Sequence, residues 1–275
     1  MKNITEIIKR HKWKILLIYT YVFFTQVLYL VEPYVLGKAI DGLLAKDYTY
    51  ILLLLGIFLV ENVMIYKRMV YDTKVYVQVY NEIVADYLQR DKESDSSSKI
   101  ARTDLAQNFI NFLENDLQYF IMALMSIIGS LYFIFIGSWM TGLVVALCLL
   151  PTVLIVRIYY KKIAQGTRVG HTHYEQKISI MTSAEETNVD TFFKRRKRVI
   201  IALSTLQGKH WASLNSVKSV FLVISVIIFS QNTGLTQGQA VSMYAYINQF
   251  LISLMSVPIG VETFTRIRDV LKRLK

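Results

Sequence analysis

The 275-residue chain has one cysteine and three prolines, and it lacks basic residues across two long stretches. The lone Cys148 sits inside an apolar run, so no disulfide framework can form within one chain. Lys and Arg are missing from Thr103 to Val156 and again from Ser219 to Thr265. Each run exceeds the roughly 20 residues that cross ~30 Å of hydrocarbon, so each reads as a helical hairpin in a bilayer. There is no signal-peptide cleavage pattern. The first apolar segment is too long and lacks a small-residue exit, so it is expected to be retained. His171 and His173 stand near Glu175, but residues at i and i+2 of a helix project apart, and no metal site is expected. No Ser/His/Asp or Cys/His arrangement stands out. No catalytic residue, no cofactor and no enzyme activity of its own are therefore expected.

What is present is apolar. Hydrophobic residues make up 53% of the chain, and mean hydropathy is +0.37, unusual for a water-soluble domain. The pattern predicts an all-α polytopic membrane protein with six transmembrane helices and long cytoplasmic extensions. The spans fall at about 15–36, 50–69, 117–136, 139–160, 217–230 and 240–263, in a single domain covering 1–275. The fifth run is short for a crossing, so its helix is expected to start before the apolar run does. Residues 1–14 alternate lysines and an arginine with Ile4, Ile7, Ile8 and Trp13, which predicts an amphipathic helix on the membrane surface. Gly37 to Asp47 reads as a polar turn, and the serine-rich patch Asp91 to Ser98 as a loop.

The net charge of +11 raises the question of nucleic acid, but the basic residues flank apolar spans as the positive-inside rule describes. Of 31 Lys and Arg, only Lys38 and Lys46 fall in the turns after spans one, three and five. The other 29 lie on the opposite side or at its border, which places both termini in the cytoplasm and suits a bacterial inner membrane.

Three short outer turns alternating with two long helical excursions form a plan that resembles the six-helix transmembrane domain of ABC exporters. Local patterns carry the likeness: Glu32-Pro33 leading through Gly37 to Ile40-Asp41, then Glu114-Asn115-Asp116 before a long apolar run. Ser138-Trp139 ahead of Pro151, and Gly234 to Gly238 followed by Tyr246 and Pro258, continue it. The resemblance implies a homodimer in which spans four and five pack against the partner subunit, and alternating access to a central cavity.

The departures matter as much. No G-x-x-x-x-G-K-[ST] phosphate loop occurs, and the chain ends where the family's nucleotide-binding domain would begin. The first cytoplasmic turn lacks the family's aromatic pair, and Glu185 to Lys194 lacks its glycine. Phe192 and Phe193 remain candidate knobs for a separate ATPase subunit. Three functions follow. The first is an ATP-independent transporter, proton- or ion-coupled, moving small organic compounds, cationic ones among them. The second is the membrane subunit of an exporter whose ATPase is a separate chain. The third is a non-transporting membrane scaffold or regulator.

Polar residues at membrane depth supply the candidate site. A carboxyl group is costly to ionise there, so Glu61, near the centre of span two, suits proton coupling; the plain alternative is a glutamate satisfied by a neighbour. Asn62 stands beside it. Gln26, Tyr29 and Pro33 share a face of span one by i, i+3, i+7 spacing, with Glu32 adjoining, and Asn248 and Gln249 lie midway along span six. Carboxylates among tyrosines suit an organic cation. Lys194, Arg195, Arg196, Lys197 and Arg198 form a basic cluster for anionic lipid headgroups, or else a solvated helix face.

Overall fold

Backbone groups have no water to bond inside a bilayer, so a lipid-spanning chain satisfies them within helices. The computed structural model follows that rule. It describes the backbone of residues 2–90, 96–159, 161–163, 165–166 and 186–273, with side chains for 6–89, 103–159, 161–163, 165–166, 192–257 and 260. Among the described residues there is no strand. The helices are α1 (Lys2–Arg10), α2 (Lys12–Leu44), α3 (Thr49–Arg90), α4 (Ser96–Asn111), α5 (Leu117–Gly137) and α6 (Trp139–Leu147). Then come α7 (149–159), α8 (Glu186–Ser230) and α9 (Gln237–Arg273). A π-helical segment, Phe112–Asp116, joins α4 to α5. Among the described residues six helical stretches are long and apolar enough to cross a membrane.

At ~1.5 Å per residue, the 42 residues of α3 extend about 63 Å, twice the hydrocarbon thickness. α3 therefore continues well beyond its apolar part. The chain divides into two compact units, residues 1–142 with 228–275, and residues 143–227.

In the first unit, α2, α3, α5 and α9 pack side by side. Their turns lie at one end of the bundle, the turn end, and α1 and α4 lie at the other, the terminal end. A buried cluster holds the terminal end together: Ile7 of α1, Val75, Tyr76, Val79 and Ile83 of α3, and Ala106 and Phe109 of α4. Thus α1 docks its apolar face on protein, where the sequence alone predicted a membrane surface. Arg10 Nη1 and His11 Nε2 reach the Glu82 carboxylate at 3.2 and 2.9 Å, and Lys14 donates to Gln78 at 3.0 Å. Trp13 stays 71% exposed, consistent with an interfacial place.

Two expectations change. The polar turn predicted over Gly37 to Asp47 shrinks, because α2 keeps its helical ladder to Leu44, with the Lys38 ammonium over the Tyr34 ring of the same helix and Asp41 bonded to the start of the last helix. Lys46 adopts the left-handed φ of 61° that closes the remaining turn. Asp47 then accepts the Thr49 N–H at 2.9 Å and the Thr49 hydroxyl at 2.6 Å, which holds its carboxyl below the usual carboxylate range and starts α3. In the serine-rich patch, Ser96 to Ser98 open α4 and are not loop, while 91–95 lie outside the described residues.

The start of α9 is built from two devices. Thr236 and Gln239 form a capping box: the Gln239 N–H donates to the Thr236 hydroxyl at 3.1 Å, and the Thr236 N–H to the Gln239 side chain at 3.0 Å. From α2, Asp41 accepts the Thr236 hydroxyl at 2.6 Å and the Gly238 N–H at 2.8 Å, placing a carboxylate on the positive end of the α9 dipole. Gly37 and Gly238 let the two backbones meet. A Cβ at either would collide with the other helix.

α2 passes through Pro33 without ending. Two hydroxyls four residues apart on α9 brace this region: Ser242 donates to the Pro33 carbonyl at 2.7 Å and Tyr246 to the Leu30 carbonyl at 2.9 Å. Tyr246 also stacks on Phe133 of α5, with ring centroids 4.7 Å apart.

In the second unit, α7 and α8 meet through the Tyr159 and His210 rings, 5.3 Å between centroids. Helix α8 begins 31 residues before Val217, so the short fifth apolar run belongs to a far longer helix.

Candidate functional site

The first unit holds an open-mouthed cavity of about 660 Å³. Helical periodicity explains its walls. From α2 come Thr25, Gln26 and Tyr29, and from α3 Glu61, Ile65 and Arg68, at i, i+4, i+7. The π segment and α5 present Asp116, Tyr119, Met122 and Ser126 along one face. Helix α9 adds Ile252, Ser253, Ser256 and Gly260, the glycine leaving room for the Phe120 ring.

At the level of Gln26 the wall is fixed by one buried bond: the Gln26 Nε2 donates to the Ser126 hydroxyl at 2.9 Å. Glu61 lines the cavity. Glu32 stands within electrostatic range of Glu61, and Tyr29 of both, so these three form an acidic, phenolic cluster toward the turn end. Arg68 lies two turns along α3 from Glu61 toward the terminal end. Its Nε has no hydrogen-bond partner, and its Nη1 reaches the Met122 thioether at 3.9 Å, a weak acceptor. Asp72, one turn further on, is within electrostatic range of Arg68, and its oxygens take the Thr73 N–H at 2.8 Å and the Gln118 amide at 3.5 Å.

The terminal end of the cavity is tied by hydroxyls. Tyr19 and Tyr76 both donate to the Leu113 carbonyl in the π segment, at 3.4 and 3.2 Å, and Thr73 donates to Glu114 at 3.1 Å. A π turn disrupts the i→i−4 ladder and is often found at functional places in helices.

Of the residues singled out from the sequence, Gln26, Tyr29 and Glu61 line the cavity, and Glu32 sits beside it. Asn62 is exposed on another face of α3, and Asn248 is half-buried outside the lining. Gln249 is buried with neither amide atom hydrogen-bonded, and it shares the α9 face of Ser253 and Ser256 by i+4, i+7 spacing. In the second unit, Phe192 is buried and Phe193 is 38% exposed; their rings meet edge to face at 5.5 Å. Lys194, Arg195, Lys197 and Arg198 are exposed and Arg196 is half-buried.

Arg68, Asp116, Ser126, Ser253 and Ser256 were not singled out for a site. Arg68 reads as one of many basic residues at a span border. Its i+7 spacing from Glu61 is the signal that would have found it.

A family model described as the ABC transporter transmembrane region matches residues 4–238. The chain belongs to that family. It is a multi-pass membrane protein of the transporter class. A search of curated proteins gives no match.

Proposed function

We propose that this protein is a transporter that carries small organic compounds, cations among them, through the first-unit cavity, with Glu61 as the proton-coupling carboxylate and without drawing on ATP. The cavity carries the reading. Its volume of about 660 Å³ falls within the 300–1,000 Å³ typical of small-molecule sites. Ionisable groups within membrane helices are costly and mark substrate or ion paths where they face a cavity. Among the described residues the lining holds the carboxylates of Glu61 and Asp116 and the guanidinium of Arg68, and Tyr29, Tyr119 and Phe120 add ring faces. That combination favours a cation.

The basic residues on one side of the spans support cytoplasmic termini in a bacterial inner membrane. The division of the chain into spans one, two, three and six, and spans four and five, supports a homodimer in which the latter pair packs on the partner subunit. The exposed charges of Lys194 to Arg198 suit anionic lipid headgroups and give no role to nucleic acid. The likeness to exporters implies efflux.

The test is flux. The purified chain, reconstituted alone in liposomes, moves a fluorescent organic cation such as ethidium when a proton gradient is imposed and no nucleotide is present. Flux that needs ATP and a second chain would overturn the reading.

One observation favours a second reading. Phe193 is exposed beside the basic cluster, as a docking knob for a separate ATPase subunit would be. Native mass spectrometry of the complex taken gently from its host separates the two. A mass near twice 31.8 kDa supports the self-sufficient homodimer, and a companion ATPase supports the split exporter.

A further inference from the structure

We infer that the cavity takes a zwitterion, a molecule with an ammonium group at one end, a carboxylate or phosphate at the other and an apolar link between them. The inference rests on the cavity being the transport site. One wall of that cavity reads Glu61, Ile65, Arg68, a carboxylate, an aliphatic side chain and a guanidinium on a single face of α3. Seven residues at ~1.5 Å each separate the two charged positions by about 10 Å along the helix.

A cation site alone has no use for Arg68. A guanidinium that faces a cavity normally forks onto a carboxylate or phosphate. Here the Nε is buried with no hydrogen-bond partner, and Nη1 reaches the Met122 thioether. The neighbouring Asp72 directs its oxygens to Thr73 and Gln118. Asp116 lines the cavity six residues before Met122, about 9 Å further toward the terminal end at helical rise. Among the described residues no carboxylate is bonded to the Arg68 guanidinium, which leaves it to an anionic group in the cavity it lines. At the other end, Glu61 with Glu32 and Tyr29 nearby offers negative charge and a ring face to an ammonium group. Ile65 between them matches an apolar link.

Three probes of equal chain length test this: 8-aminooctanoate, octylamine and octanoate, read by the rise in unfolding temperature of the full-length protein in detergent. 8-Aminooctanoate is expected to stabilise at concentrations at least tenfold lower than either single-charge probe. Arg68→Met should remove its advantage over octylamine, and Glu61→Gln its advantage over octanoate, each shift being read against the same variant without probe. If Arg68→Met destabilises the protein, Arg68→Lys, which retains charge and loses the fork, serves instead and should give an intermediate preference. Octylamine binding as tightly as 8-aminooctanoate, with no change in Arg68→Met, would overturn the zwitterion and leave the cation reading standing. No stabilisation by any of the three would overturn both.

Discussion

Gln26 and Ser126, a hundred residues apart, meet in the middle of the first unit, where the buried Gln26 amide donates to the Ser126 hydroxyl at 2.9 Å. The bond joins α2 to α5 on the cavity wall. Ser126→Ala leaves a buried amide without its acceptor, which costs about 1–3 kcal/mol. Replacing both partners, Gln26→Met with Ser126→Ala, removes the unpaired group and should restore most of that loss. Thermal unfolding in detergent of the two single variants and the double variant measures the coupling.

The Gly37–Gly238 crossing predicts an asymmetry between glycines. Gly37→Ala drives a methyl into the Ser242 hydroxyl and the Gly238 carbonyl, so it should destabilise by about 1–3 kcal/mol, as overpacking does. Gly56→Ala on α3 meets nothing within 4 Å and should stabilise by roughly 0.5–1 kcal/mol, the ordinary gain inside a helix. Equal effects in the same unfolding assay would contradict the close approach.

For α1, burial should outweigh charge. The Arg10–Glu82 pair is solvent-exposed on the arginine side, and such pairs contribute about 0–1 kcal/mol. Ile7 is only 6% exposed, and burying an isoleucine contributes about 1.5–3 kcal/mol. Ile7→Ala should therefore accelerate amide hydrogen exchange across residues 2–10 more than Glu82→Gln does.

The hydroxyl brace at Pro33 gives a fourth expectation. Tyr246→Phe keeps the stacked ring on Phe133 and removes only the donor to the Leu30 carbonyl, for a loss of about 0.5–1.5 kcal/mol. Tyr246→Ala removes both and should cost about 3 kcal/mol or more. The same unfolding measurement reads the difference.

Much of this architecture is legible in the sequence because lipid imposes it. Uninterrupted apolar runs and one-sided Lys and Arg mark the six spans, whereas the meeting of Gly37 and Asp41 with Gly238 across α2 and α9 is a tertiary contact. The inward faces are harder to read. In a bilayer both protein-facing and lipid-facing positions are apolar, so periodicity does not separate the exposed Phe23 and Leu52 from the buried Val22 and Leu54. Arg68 hides among border charges for the same reason, and the serines of α5 and α9 carry too weak a signal alone. The docking of α1 on α3 and α4 is a tertiary fact, since a basic amphipathic helix suits a membrane surface equally well. Glu61, Gln26 and Tyr29 stood out because polar side chains are rare in such runs; Asn62 stood out equally and lies on another face.

The central claim is that Glu61 couples protons to substrate in the cavity, and the most direct test is the pH dependence of nucleotide-free organic-cation flux in liposomes, wild type against Glu61→Gln. The account predicts gradient-driven accumulation in the wild type that varies with pH, and at least a tenfold loss of accumulation with a flat pH profile in Glu61→Gln. Equal accumulation with the same pH profile in both proteins would contradict it.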